Sequence, residues 1–256
     1  MSSIAIVSAE EALGREIGLA VASELDYRLV TLKDLLALTA HDQGFPAVQL
    51  EEIFRTGGFW RGRLTKKRLC GLARLEEQLC RLVSADRLVF VGYVGPELFS
   101  QISHVLRVLI LGGKEKSREG EAARKWFRAV YGRDLEDARQ YDLTVNRGTI
   151  EKAEAVRIIR DTLRHHKFSP MTYSRQCLVN LELSSRVKTL LVDAFPDVSV
   201  KAHDGSVWVY SAAFNRGRQQ SAAEVKQKVL GLEGVRYVEV YGSRKRFDEV
   251  ACGQIR

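Results

Sequence analysis

Two apolar runs, "RLVFVGYVG" (residues 87–95) and "VLRVLILGG" (residues 105–113), decide how this chain is read. Both are strand-length and end in glycine without alternating apolar and polar residues, the pattern of strands buried on both faces of a parallel sheet. Parallel neighbours need a crossover, and residues 97–103 between them predict a helical connection. Upstream, "SIAIVS" (residues 3–8) is another β-rich run. Beyond Glu10, apolar residues recur at Leu13, Ile17, Ala20, Val21 and Leu25, which is helical spacing. A short strand over residues 28–30 and a helix from Leu32 follow. Leu69, Leu72, Leu75, Leu79, Leu82 and Val83 then mark a helix over residues 68–84. A charged helix over residues 116–131, the short strand "YDLTVN" (residues 141–146) and a helix over residues 150–163 complete the first half. Strands alternating with helices predict an open, mostly parallel α/β sheet with flanking helices, its ligand beyond the carboxyl ends of the strands. That places the site at the loop after Ser8.

From His165 the pattern changes. "HHKFSPMTYSRQ" (residues 165–176) is polar, carries a proline, has no clear period and reads as a linker. A helix over residues 182–194 is stopped by Pro196. "VSVKAHDGSVWVYSAAF" (residues 198–214) then gives two alternating runs around the turn signal Asp204-Gly205. A helix over residues 221–230 and the strand "VRYVEVYG" (residues 235–242) close a small α+β unit. The division expected is residues 1–165 and 183–243, with "SRKRFDEVACGQIR" (residues 243–256) either a charged tail or a clasp.

The 256 residues suffice for two modest cores, and 45% hydrophobic with 28% charged residues excludes a disordered or collagen-like chain. No apolar run approaches the roughly 20 residues that span a bilayer, and no export signal is visible, so a cytoplasmic protein is expected. Cys70, Cys80, Cys177 and Cys252 lack C-x-x-C spacing and read as free thiols, and the five histidines show no metal-ligand spacing. The net charge of +8 favours anionic partners. Arg61, Arg63, Lys66, Lys67 and Arg68, with Arg55, Arg74 and Arg81 around them, face only Glu76 and Glu77. They form either a solvated helix face or an anion-binding surface, nucleic acid included.

Over residues 3–163 the chain resembles the cytidylate kinase-like family, a branch of the P-loop nucleoside monophosphate kinases. "IAIVSAEEALGREIGLAVASELDYRLV" (residues 4–30) is similar to that family's opening strand, loop, "GGREIA" helix start and "LGYRLVD" segment. "LVFVGYVGPELF" (residues 88–99) is similar to its "VIVGRGA" strand and turn. "YGRDLEDARQYDLTVNRGTIEKAEAVRII" (residues 131–159) is close to its stretch ending "YDLVINTGRLSLEEAVELI". The resemblance implies a nucleotide site at Ser8, Gly14, Arg15 and Glu16, with Arg118, Arg124 and Lys125 supplied by a lid segment shorter than the family's. ATP and magnesium are implied if the chain is active.

The family's loop, approximately G-S-G-G-[RK]-x-I, lets glycine amides turn onto phosphate oxygens. Here Ala12-Leu13-Gly14-Arg15-Glu16-Ile17 is one residue short and keeps only Gly14, which reads as a turn glycine or a phosphate contact. Arg15 takes the place of the phosphate-binding cation, Glu16 that of the magnesium-binding hydroxyl, and Tyr93 that of a glycine-bracketed arginine. Glu10 and Glu11 add charge that opposes a polyanion. Asp142 and Asn146 read as strand-end caps. Trp60 and Trp126 read as packing residues, with base stacking an alternative for Trp60. The expectation is a pseudokinase that binds a nucleotide or a protein partner, the alternative being an active ATP-dependent nucleoside monophosphate kinase.

Residues 183–240 resemble a BON domain, through a helix, the hairpin at Asp204-Gly205 and the "AAEVKQKVLGLEGVRYVEV" ending with Gly234 and Val235. This implies contact with phospholipid, a small ligand or a protein partner.

Overall fold

A computed structural model of the chain describes residues 2–54, 59–60, 63–85, 87–112, 117–215 and 219–253. Strands β1 (Ser3–Val7) and β5 (Leu88–Val91) are buried along their whole length, and β6 (Val105–Leu111) nearly so. With the shorter, half-exposed edge strands β2 (Arg28–Thr31) and β7 (Leu143–Asn146), they form a five-stranded sheet in the order β2-β5-β1-β6-β7. Every pairing in it is parallel. The continuous apolar runs follow from this placement. Ile4, Ile6, Val89, Val91 and Val108 point into one layer, and Ala5, Val7, Phe90 and Leu109 into the other.

The first layer contains α1 (Glu11–Leu25) and α7 (Lys152–Leu163). Helix α1 buries Gly14, Ile17, Gly18, Val21 and Ala22, a stripe at helical spacing, and ends where Asp26 turns left-handed at φ 55°. The opposite layer holds α2 (Leu32–Gln43), α3 (Ala47–Glu52), α4 (Lys66–Ser84), α5 (Gly95–Leu98) and α6 (Arg118–Tyr131). Strand β3 (Phe59–Trp60) pairs antiparallel with β4 (Arg63–Leu64). The connection expected to be helical over residues 97–103 is only the four-residue α5.

The second unit begins earlier than its sequence pattern suggests. Helix α8 (Thr172–Val192) takes up part of the stretch read as a linker. Its first turns bury Ser174 and Asn180 while exposing Tyr173 and Val179, so no apolar period could mark them. Then come β8 (Ser199–His203), β9 (Ser206–Tyr210), α9 (Gln219–Leu230), β10 (Tyr237–Tyr241) and α10 (Arg244–Gly253). The sheet order is β10-β9-β8. Asp204 and Gly205 take φ 47° and 78°, the paired left-handed conformation of a tight hairpin, as the Asp-Gly signal requires. The closing charged segment is a clasp: α10 buries Phe247 against Trp208.

Helix α4 joins the two units. One side lines the large sheet's core, while Cys70 and Ala73 on another side enter the core of the second unit beside Leu183, Val187 and Leu191 of α8. The seam is polar: Lys188 Nζ lies 2.7 Å from Glu76 Oε2, Arg74 pairs with Asp193 at 2.8 Å, and the Ser84 hydroxyl donates to Glu182 at 2.8 Å. Burial, above all, pushes the Cys70 thiol up to about 11 and the Cys80 thiol up to about 12, so neither supplies a thiolate near neutral pH.

This packing corrects the reading of the basic stretch. Arg68 is only 8% exposed and is not a surface cation. Arg74 is held by Asp193 and lies over the Phe45 ring, and Arg81 pairs with Glu77. Lys66 and Lys67 remain exposed, whereas Arg55, Arg61 and the Arg63 side chain lie outside the described residues.

Candidate functional site

The chain leaves β1 toward β2 on one side of the sheet and leaves β5 toward β6 on the other, so the carboxyl ends of β1 and β5 flank a topological switch point. Open α/β sheets bind ligands in that crevice. A cavity of about 320 Å³ lies there, walled by the β1–α1 and β5–α5 turns, the starts of α1 and α2, and the first turns of α6. Its size is at the lower end of ligand pockets.

The β1–α1 turn is three residues long: Ser8, Ala9 and Glu10. Ser8 Oγ accepts the Glu10 amide at 3.2 Å. Gly14 lies inside α1, its amide donating to the Glu10 carbonyl at 3.1 Å, and a Cβ there would sit 3.2 Å from Ser8 Cβ and 3.4 Å from Val91 Cγ1. At Gly18 a Cβ would come within 2.4 Å of Val91 Cγ2. Both glycines therefore bring α1 close onto β5, and Gly14 is neither a turn residue nor part of an amide cradle.

Three helix N-termini meet at the crevice. Thr31 and Asp34 cap α2 reciprocally, the Thr31 amide donating to Asp34 at 2.8 Å and the Asp34 amide to Thr31 Oγ1 at 3.3 Å. At α6, Ser117 Oγ accepts the Gly120 amide at 2.9 Å, and Glu10 reaches over from the β1–α1 turn to accept the Ser117 amide at 3.4 Å. Gly120 permits this approach, since a Cβ there would meet Glu10 Oε1 at 2.6 Å. No side chain caps α1.

Of the residues singled out in the sequence, Ser8, Gly14 and Arg15 line the cavity. Glu16 does not, because its carboxylate pairs with Lys152 of α7 at 3.2 Å. Arg124 is held by Glu136 at 2.9 Å, Lys125 pairs with Glu121 at 3.8 Å, and Arg118 is exposed outside the wall. The wall also contains Thr31, Lys33 and Glu119, which the sequence did not single out, and Tyr93, which it marked only as standing in place of a glycine-bracketed arginine. Arg15 and Lys33 face Glu11 and Glu119, so the formal charge of the wall balances. Lys33 lies 3.7 Å from Glu11, whereas Arg15 has no ion pair among the described residues. Tyr93 stands on an aromatic pile, its ring 5.5 Å from Phe54 and 5.1 Å from Trp126, and burial pushes its phenol well up. Trp126 is a packing residue whose indole donates to the Ile53 carbonyl at 2.7 Å, and the Trp60 side chain lies outside the described residues.

These residues do not fit ATP with magnesium. The turn is too short for several amides to converge on a triphosphate, Glu10 is turned to α6, and Glu16, which only the resemblance sets at a metal-binding position, is drawn away to α7. Among the described residues no three His, Cys, Asp or Glu side chains converge to hold a metal.

Fold and crevice together define a parallel α/β protein with a small switch-point cavity and no helix, among the described residues, long and apolar enough to cross a membrane. No family profile and no curated protein matches the chain. Among solved structures it is similar to an uncharacterized protein from Eubacterium ventriosum, at 15% identity and a TM-score of 0.46, over 63% of this chain and 97% of that one.

Proposed function

We propose that the chain is a non-catalytic relative of the cytidylate kinase-like proteins that binds a nucleoside monophosphate in the switch-point cavity. The single observation that carries this is the placement of Arg15, without an ion pair among the described residues, beside the start of α1, which unlike the starts of α2 and α6 at the same crevice has no side-chain cap. That arrangement suits one anionic group on a largely apolar body and disfavours a polyphosphate. Tyr93 and Leu32 offer the apolar surface a base would lie on. Phosphoryl transfer depends on positioned charge around the transferred group, which the paired lid cations and the three-residue turn do not supply, so the active-kinase reading is the weaker one. Nucleic-acid binding through residues 55–81 is weakened by the internal engagement of Arg68, Arg74 and Arg81. The second unit's order of helix, hairpin, helix and strand supports the BON-like reading, with a phospholipid or protein partner.

Calorimetric titration of the purified chain tests this. CMP is expected to bind and magnesium-ATP to bind at least about ten-fold more weakly. Arg15→Ala should cost CMP about ten-fold, the worth of one charge-assisted hydrogen bond. Phosphoryl transfer from ATP to CMP, or binding of neither nucleotide, overturns the reading.

A further inference from the structure

Two carboxylates stand at the start of α1, that of Glu10 at its N-cap and that of Glu11 in its first turn, where the positive end of a helix attracts negative charge. Neither is spent there. Glu11 lies 3.7 Å from Lys33, and Glu10 crosses to α6, where its Oε1 accepts the Ser117 amide at 3.4 Å. Arg124, one turn beyond Gly120 along α6, is held charged by its bond to Glu136 and, more weakly, by the Glu10 carboxylate. Ala9 and Glu11 line the switch-point cavity, and Glu10 between them does not. The withdrawal depends on one small residue. A Cβ at Gly120 would fall 2.6 Å from Glu10 Oε1, 3.1 Å from the Ala9 carbonyl oxygen and 3.2 Å from Ser117 Oγ. Of these three the carboxylate, at the end of a flexible side chain, gives way most readily.

On the reading that an anionic group binds beside Arg15, we propose that Glu10 is a built-in competitor for that group, and that the first turn of α6 keeps the site open by holding the Glu10 carboxylate away. While Ser117 and Gly120 are seated on the β1–α1 turn, Glu10 is engaged and the start of α1 is left to a ligand. When that turn of α6 lifts, the carboxylate returns to its own helix and its charge takes the place of the ligand's. Ser117 and Gly120 line no part of the cavity, so they govern it through Glu10 and not by contact with what it holds.

Calorimetric titration of CMP into variants of the full chain tests this. Gly120→Ala, which displaces the Glu10 carboxylate, is expected to weaken CMP about five-fold, the scale of one charge at a helix terminus. Glu10→Gln in that background should bring the affinity back to within about two-fold of the unsubstituted chain, the coupling expected of residues in contact. An affinity unmoved by Gly120→Ala overturns the proposal. So does a loss that survives removal of the Glu10 charge, because distortion of α6 then accounts for it. Hydrogen exchange read by NMR needs no CMP: the amides of residues 11–13 should exchange more slowly in Gly120→Ala and recover with Glu10→Gln, and equal exchange overturns the proposal. If the unsubstituted chain binds no CMP, the nucleotide reading falls and exchange alone decides. Should Gly120→Ala not fold, Ser117→Pro, at a φ of −69° that suits the ring, removes the amide that Glu10 accepts. The same loss, rescue and exchange pattern is expected of it, and their absence overturns the proposal equally.

Discussion

The two ends of the large parallel sheet treat charge in opposite ways. At the amino ends of β6 and β7, Asp142 accepts from the Arg107 side chain at 3.0 Å, the Arg107 amide at 3.1 Å and the Lys167 ammonium at 2.9 Å. At the carboxyl ends of β1 and β5, Arg15 and Glu119 face a cavity without ion-pair partners among the described residues. One sheet carries both ends. A charge closed on all sides by protein holds the fold, whereas one left open toward a crevice is available to a ligand.

The largest expected effect comes from breaking the closed end. Burial alone would push the Asp142 carboxyl up, but its bonds to Arg107 and Lys167 outweigh that and hold it below the ordinary carboxylate range. Asp142→Asn leaves Arg107, 18% exposed, without its carboxylate and should cost about 3 kcal/mol, read as a lower urea midpoint at unchanged slope. Because the folded-state value lies below the unfolded one of about 3.9, the contribution is complete above that pH and drains away as pH falls through the lower value. The substitution should therefore flatten the acid limb of the stability profile while leaving CMP affinity unchanged. Loss of CMP binding without loss of stability would erase the distinction between the two ends.

The next effect tests what shapes the open end. Gly18→Val places a branched side chain where even a Cβ comes within 2.4 Å of Val91 Cγ2, and overpacking of that kind costs about 2 kcal/mol. Val91 also lines the cavity, so CMP affinity should fall together with stability. A variant with unchanged thermal stability and affinity would mean that α1 does not depend on close approach to β5.

That contact also explains how much was legible from sequence. The central strands were readable because burial on both faces leaves an unbroken apolar run, and the position of the cavity followed from strand and helix alternation. Gly14 was not readable in the same way. At Gly205 the residue's freedom serves a left-handed turn, which the Asp-Gly signal announces, whereas Gly14 and Gly18 are glycine because of a strand distant in sequence. The second side of α4 was hidden for a similar reason: what covers it is α8, about a hundred residues later, whose own first turns bury serine and asparagine and so hide their period. Tyr93 and Lys33 join the cavity through strand order, which no local pattern of residues encodes.

The smallest effect separates charge from shape as the barrier to a triphosphate. The Lys33–Glu11 pair spans 3.7 Å between side chains 80% and 52% exposed, so Glu11→Gln should move stability by less than about 0.5 kcal/mol. Its effect on the wall is larger in kind, because Arg15 and Lys33 then face Glu119 alone and the balance shifts by one positive charge. Magnesium-ATP affinity, measured by calorimetry at low salt, should rise a few-fold while CMP changes less, and added salt should remove the difference. If ATP gains nothing, the limit lies in the three-residue β1–α1 turn, whose amides cannot follow a triphosphate whatever charge surrounds them. If ATP comes to bind as tightly as CMP, charge alone kept it out, and the closed end of the sheet differs from the open one only in where its counter-ions come from.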